Sequence, residues 1–240
     1  MLVLFTDFGL QGPYLGQVEA VLQQHAPGVP VINLFSDLPP FDIQAAAYLL
    51  PACARGFTPG TVFVCVVDPG VGSERPGVVL QADGRWYVGP NEGLFAPLAR
   101  RAKDIQCWLL PEPAPGASPS FHGRDVFAPL AGRVARDGRY SGEELAATGL
   151  DKPDWPDDLW RVVYIDRFGN AITGLRSSII GPDAVFNVDG HPLHHARTFS
   201  DVDEGKAFWY GNSSGLVEFA VNRGRADMML GLQVGTEFSR

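Results

Sequence analysis

Cysteine is scarce in this chain. Cys53, Cys65 and Cys107 are odd in number and widely spaced, with no Cys-x-x-Cys pair, which argues against a disulfide framework or a zinc site. Cys65 and Cys107 lie inside apolar strand-like runs and read as small core residues. A basic tract is also missing. Net charge is −8, so the general electrostatic grip that nucleic acid demands is absent. The densest basic cluster, Arg100, Arg101 and Lys103, reads as a helix end, where cations suit the dipole. No apolar stretch approaches the length of a bilayer span. The N-terminal MLVLFTDFG has no basic leader and meets an Asp too early for a signal peptide. The expected compartment is the cytoplasm, with neither nucleic acid nor membrane as partner. The phosphate loop G-x-x-x-x-G-K-[ST] and a G-x-G-x-x-G after the first strand are missing, as is a G-x-S-x-G elbow. There is no internal repeat and no low-complexity segment.

What is present is a foldable chain, 45% hydrophobic and 19% charged over 240 residues, enough to bury a core without staples. Strand-like and helix-like segments alternate in the first half. LVLF (2–5) and VPVINLF (29–35) read as strands, with Tyr14, Val18, Val21 and Leu22 at helical spacing between them. A second helix runs from Asp42 to Gly56. TVFVCVV (61–67) is the strongest strand. GVVLQADGRWYVG (77–89) is a hairpin on an Asp83-Gly84 turn. A short helix from Leu94, a strand IQCWLL (105–110), a Pro-rich loop (111–120) and a helix HGRDVFAPLAGRVA (122–135) complete an α/β domain over 1–150 with a mostly parallel sheet. The apolar pattern weakens from Tyr140 to Trp160, where a linker is placed. Beyond it, RVVYID, NAITGL, AVFNV, FWYG, LVEFAV and MMLGL, separated by Gly, Asn and Asp turns, indicate a small antiparallel β domain over 160–240.

Polar residues gather just past strand ends, where open α/β sheets bind ligands. Thr6, Asp7 and Gly9 follow the first strand. Asp68, Pro69, Gly70, Gly72 and Arg75 follow the third. Gly89, Pro90, Asn91 and Gly93 follow the hairpin, and His122, Gly123, Arg124 and Asp125 open the last helix. Each loop alone reads equally as a turn; all four together point to one pocket. An Asp after the first strand suits a ribose diol, because one carboxylate accepts from both hydroxyls. A nucleoside-like ligand without a phosphate cradle follows. The HPLHH cluster (191–195) lies among turn formers with no Cys nearby and reads as surface structure, not a metal site. His25 reads as a charge at a helix C-terminus. Trp209-Tyr210 reads as core, and the Gly211–Gly215 stretch after it as an anion-binding loop of backbone N–H groups.

TDFG (6–9), DPGVG (68–72), Arg75, GPNEGL (89–94), FHGRDVFAP (121–129), IDRFGN (165–170) and SSGLVEFAVNRGRA (213–226), in this order, resemble the S-adenosylmethionine (SAM) hydroxide adenosyltransferase family, which is related to the fluorinases and chlorinases. The resemblance spans Leu2 to about Gly231. It implies an α/β N-terminal domain, a β-barrel-like C-terminal domain, and a homotrimer with the ligand between the N-domain of one subunit and the C-domain of its neighbour. It implies hydrolysis of SAM to adenosine and methionine, with no cofactor and no metal. By position in the motifs, Asp68, Arg75 and His122 match the catalytic set of the hydrolytic members, which the halogenating relatives lack. Asp7 matches the ribose carboxylate, Asp166 and Ser213 the methionine end, and Asn170 and Asn222 positions near the adenine. Arg223-Gly224-Arg225 is more basic than that pattern. The competing readings are a non-catalytic SAM or adenosine binding module, which would not need the triad, a halide-using transferase, which the triad disfavours, and an unrelated nucleoside hydrolase.

Overall fold

A computed structural model describes residues Met1–Arg240. The chain forms two compact units, one of residues 1–50 and 56–152, the other of 51–55 and 153–240.

The first unit is built on a seven-stranded sheet. Its elements are β1 (Leu2–Thr6), α1 (Tyr14–His25), β2 (Val31–Phe35), α2 (Ile43–Ala54), β3 (Val62–Val66), β4 (Gly77–Ala82), β5 (Arg85–Pro90), α3 (Ala96–Arg101), β6 (Ile105–Leu109), α4 (Ala128–Asp137) and β7 (Glu143–Glu144). The strand order is β2-β1-β3-β5-β4-β6-β7. The first four of these are mutually parallel, and β4, β6 and β7 pair antiparallel. The sheet is therefore mixed, and the hairpin is the reason. Asp83 and Gly84 both adopt positive φ, 46° and 77°, the backbone of a two-residue type I′ turn, which sends β5 back alongside β4 and leaves β4's outer edge to β6.

Alternation along the strands sets the core. Leu2, Leu4, Val62 and Val64 pack against Val18 and Leu22 of α1 and Leu130 and Val134 of α4. Val3, Phe5, Phe63 and Cys65 point to the opposite face and are equally buried. A sheet whose central strands are covered on both sides needs such continuous apolar runs. Burial of each of these side chains stabilises by about 1.5–3 kcal/mol, and Leu4→Ala should cost about 2–5 kcal/mol. Cys107 is buried like Cys65, His25 ends α1, and Arg100 and Arg101 occupy the last turn of α3. Between residues 140 and 158 the chain holds only β7 and a 3₁₀ turn at Ala147–Leu150.

The second unit carries its strands in two antiparallel sheets. One has the order β12 (Ala207–Gly211), β13 (Leu216–Val221), β9 (Ala171–Arg176) and β8 (Leu159–Ile165); the other pairs β10 (Phe186–Val188) with β11 (His191–Leu193). Phe186, Trp209 and Phe219 centre its core, Phe186 meeting Trp209 edge-on at 5.1 Å between ring centroids. MMLGL is not a strand: Ala226–Met229 forms a short helix, α5. Leu230 and Leu232, just past it, are buried in the core, while Met228 and Met229 are exposed.

Candidate active site

All four polar loops of the first unit meet. Gly70 of DPGVG lies against the Glu92 carboxylate of GPNEGL, and a Cβ at Gly72 would sit 2.7 Å from the carbonyl oxygen of Pro119. Gly123 backs onto Phe8 of TDFG; any side chain there would begin 2.7 Å from the Phe8 ring. The helix over 122–135 does not open as an α-helix. His122 leads into a π turn, Gly123–Phe127, before α4 begins. Pro129, early in α4, has no N–H to return to the carbonyl of Asp125, which lets the turn widen; π turns of this kind recur at functional sites.

This loop cluster brings Asp68, Arg75 and His122 into contact. Arg75 Nε donates to Asp68 Oδ1 at 2.8 Å, and Arg75 Nη2 donates to Asp68 Oδ2. The same Nη2 reaches His122 Nδ1 at 3.1 Å. The guanidinium lies 5.3 Å above the Phe127 ring centroid. Side-chain exposure is only 7% for Arg75 and 5% for Asp68, so the pair is held in a medium where unpaired charge is expensive. Burial holds the His122 imidazole below the usual histidine range, and the Arg75 cation adds to this, while Asp68 and Asp125 pull the other way. Arg124 and Asp125, next in the motif, are structural. Arg124 donates to both Asp125 oxygens and to Gln17 Oε1 of α1, and Asp125 accepts from the Ser118 N–H.

Asp7 stands in the same unit close enough to feel the charge of Asp68. Burial pushes its carboxyl up, the N–H of Phe41 bonded to it pulls it down, and Asp68 pushes it up again. Its Oδ2 accepts that N–H at 3.1 Å, and its own backbone N–H also favours the charged form. Phe41 adopts φ 64°, unusual for an aromatic residue, and the residue is 74% exposed.

The second unit has its own cavity, about 830 Å³, lined among others by Asp166, Phe168, Asn170, Ser213, Glu218 and Arg225. Asp166 organises the IDRFGN turn: Oδ1 accepts from the N–H groups of Phe168 and Asn170, and Oδ2 from Asn170 Nδ2. Asn222 does not join them. Its amide turns away to donate to the Val202 carbonyl at 2.6 Å, so it braces the wall behind Val221 and Arg223. The Gly211–Gly215 stretch is not a free anion nest either. Asn212 Oδ1 accepts from the N–H of Ser214 and of Leu216, and the Asn212 carbonyl accepts from Gly215. Arg223 and Arg225 are paired with Glu204 and Asp227.

Glu218 is the cavity residue that the motif reading passes over. It is 4% exposed, accepts from the Tyr210 hydroxyl at 2.5 Å and from Asn212 Nδ2 at 2.8 Å, and burial with the nearby Asp166 charge raises its carboxyl above the usual range. The sequence signal was a charge inside LVEFAV, a strand buried at all six positions. Trp209 is core, its indole N–H donating to the Ala184 carbonyl. His195 packs against that Trp at a tilt, 4.5 Å between ring centroids, and no group of His, Cys, Asp or Glu gathers as a metal site. No helix is long and apolar enough to cross a membrane.

The chain has close sequence relatives over nearly its whole length. The SAM hydroxide adenosyltransferase N-terminal domain matches residues 2–144 and its C-terminal domain residues 160–239. An (R)-S-adenosyl-L-methionine hydrolase from Thermus thermophilus is 41% identical over 96% of this chain and 95% of that protein. One from Salinispora tropica is 32% identical over 96% of this chain and 93% of that protein. The crystal structure of an uncharacterized conserved protein from Thermotoga maritima superposes with a TM-score of 0.86 at 27% identity, covering 99% of this chain and 98% of that one. With both domain matches together spanning nearly its whole length, the chain belongs to the SAM hydroxide adenosyltransferase family.

Proposed function

We propose that this protein hydrolyses SAM to adenosine and methionine. The observation that carries the reading is the closed Asp68–Arg75–His122 contact beside Asp7; a binding module would have no use for it. The substrate is a sulfonium cation and the nucleophile is hydroxide-like. Oxygen bonds to the ribose C5′ as the C5′–S bond breaks, and that bond's electron pair leaves with sulfur as a neutral thioether. Charge is destroyed along the way, so a site that sheds water lowers the barrier. The leaving group needs no acid. The protein must supply an oriented nucleophile in line with C5′. Arg75 and His122 handle that nucleophile, Asp68 holds Arg75, and Asp7 accepts from the ribose diol. Asp166, Glu218 and Ser213 receive the amino-acid end, where two carboxylates suit an ammonium group, and Asn170 lies towards the adenine. No cofactor enters this scheme. Turnover in heavy-oxygen water should place the label in the 5′-hydroxyl of adenosine; adenine or methylthioadenosine as the main product would overturn it.

The working form in this reading is a homotrimer in the cytoplasm, each site completed by a neighbouring copy. Exposed apolar side chains support it: Leu10 and Phe41 in the first unit, Phe168 and Met228 in the second, all above 70% exposed. Large apolar side chains left this open are available for burial against a neighbouring copy. If sites are shared, inactive His122→Ala and Glu218→Ala chains should regain activity when co-expressed. Mixed assemblies with no activity would refute sharing.

A further inference from the structure

Arg223-Gly224-Arg225 is more basic than the family pattern, and in the second unit Arg225 reaches across to the IDRFGN turn. The bonds inside that turn are all short-range. Asp166 Oδ1 accepts from the N–H groups of Phe168 and Asn170, the Asp166 carbonyl from that of Gly169, and the Asn170 carbonyl from that of Asp166. They shape the turn but do not fix where its apex stands. Packing does not fix it either, since Phe168 at the apex is 72% exposed. Two carbonyls of the turn are held from outside. Arg225 Nη1 donates to that of Arg167 at 3.0 Å, and the Asp227 N–H donates to that of Gly169 at 3.0 Å. The guanidinium is itself fixed by a two-point pair with Asp227, Nε to Oδ1 at 3.0 Å and Nη2 to Oδ2 at 2.7 Å. Gly169 fits under this pair. It adopts φ 85°, and a Cβ there would stand 2.5 Å from Asp227 Oδ1 and 2.8 Å from Arg225 Cβ. Ala226 and Leu230, both buried, tie the pair to the core. Arg225 is the N-cap of α5 and makes no side-chain cap. A position that favours Ser, Thr, Asp or Asn is thus held by an arginine whose fork is committed to the turn.

We infer that Arg225 and Asp227 are positioning residues that hold the Asp166–Asn170 turn in its binding conformation. The inference rests on the hydrolytic reading above, in which Asp166 receives the amino-acid end of SAM and Asn170 lies towards the adenine. Arg225 borders the cavity, yet Nε, Nη1 and Nη2 each bond to one of the chain's own oxygens. It acts on the substrate through the turn. With the turn preset, the substrate does not have to order it on binding. The parts of SAM that the turn receives do not react. The preset therefore favours ground and transition state alike, and its loss appears in KM. The fork itself is required, because one group has to reach both Asp227 oxygens and the Arg167 carbonyl. An ammonium on a flexible stem carries the same charge but does not hold that geometry.

The test compares two variants with wild type. Arg225→Ser supplies an ordinary helix cap and removes the fork; Arg225→Lys keeps the charge. The pair is partly exposed, 44% at Arg225 and 18% at Asp227, and such pairs add little to global stability. Both variants should therefore melt within about 4 °C of wild type. Hydrogen exchange on the ligand-free protein should show the Phe168 and Asn170 amides opening about tenfold faster in both variants, with the amides of β13 unchanged. With SAM, KM should rise about tenfold in both while kcat stays within about threefold, the scale of coupling between neighbours in one hydrogen-bond network. A wild-type KM in Arg225→Ser overturns the inference. So does a wild-type KM in Arg225→Lys, which would assign the effect to charge near Asp166. Loss confined to kcat, or unchanged exchange at Phe168 and Asn170, also overturns it. If Arg225→Ser melts early, Arg225→Lys decides by the same readings. Failure of wild-type protein to release adenosine from SAM would instead refute the hydrolytic reading and leave the exchange result standing.

Discussion

Arg75→Met is the perturbation that most directly probes how the site is held. Methionine keeps the length and much of the volume of arginine but removes the cation. Asp68, 5% exposed, would then lose both of its charge-assisted hydrogen bonds. Removing one member of a buried ion pair costs about 3–5 kcal/mol, mostly the penalty of stranding the other charge. At about 2–4 °C per kcal/mol for a unit of this size, the first unit's melting temperature should fall by about 6–20 °C. The second unit, which takes no part in the pair, should be unmoved. Replacing Asp68 as well, in Asp68→Leu/Arg75→Met, removes the stranded charge, and most of the loss should return, since apolar pairs of similar volume are often as stable as the ion pair they replace. Catalysis should be absent in Arg75→Met, in Asp68→Leu alone and in the double variant. Calorimetric melts of the two single variants and the double variant, alongside turnover, make the cycle. A single variant within about 1 kcal/mol of wild type, or a double variant no better than Arg75→Met, would refute the claim that the triad is a desolvated, interdependent unit.

Asp7→Ala should weaken adenosine and SAM binding and raise KM with a smaller effect on kcat, because each ribose hydroxyl left unpaired costs about 1–3 kcal/mol in ground and transition state alike; calorimetric titration with adenosine checks it, and unchanged affinity would remove Asp7 from the ribose. Glu218→Gln should act in opposite directions on stability and binding. A carboxyl raised in the folded state stabilises at low pH and loses that contribution as pH climbs through its ordinary value near 4.5 and beyond. The Gln variant should therefore melt higher than wild type at pH 8 and show no such gain at pH 4, yet bind SAM about tenfold or more weakly, in line with about 1.5–3 kcal/mol for a hydrogen bond to a charged group. Equal melting shifts at both pH values would contradict the burial argument.

The sequence by itself determined the elements and the chemistry of the polar loops. Strands such as 61–67 and the Asp83-Gly84 hairpin are written in local pattern, and short-range backbone preferences are enough to form them. Asp68, Arg75 and His122 were legible because each sits in a short motif at a strand exit or helix entry. Tertiary structure decided everything that depended on which group reaches which first. The sheet is mixed because β4, once turned back by its hairpin, offers β6 a free edge. The helix at 122 opens as a π turn, and Met228–Met229 becomes helix where an apolar run suggested strand. Asn222 spends its amide on Val202, and the N–H groups of the glycine loop are taken by Asn212, because buried polar groups bond to whatever partner folding places nearest. Glu218 shows the reverse. A charge in a fully buried strand looks like a misfit until the fold supplies Tyr210, Asn212 and the cavity they share with Asp166. The same holds for His122: its place in FHGRD names the residue, but only the fold brings its Nδ1 to 3.1 Å from the Arg75 guanidinium.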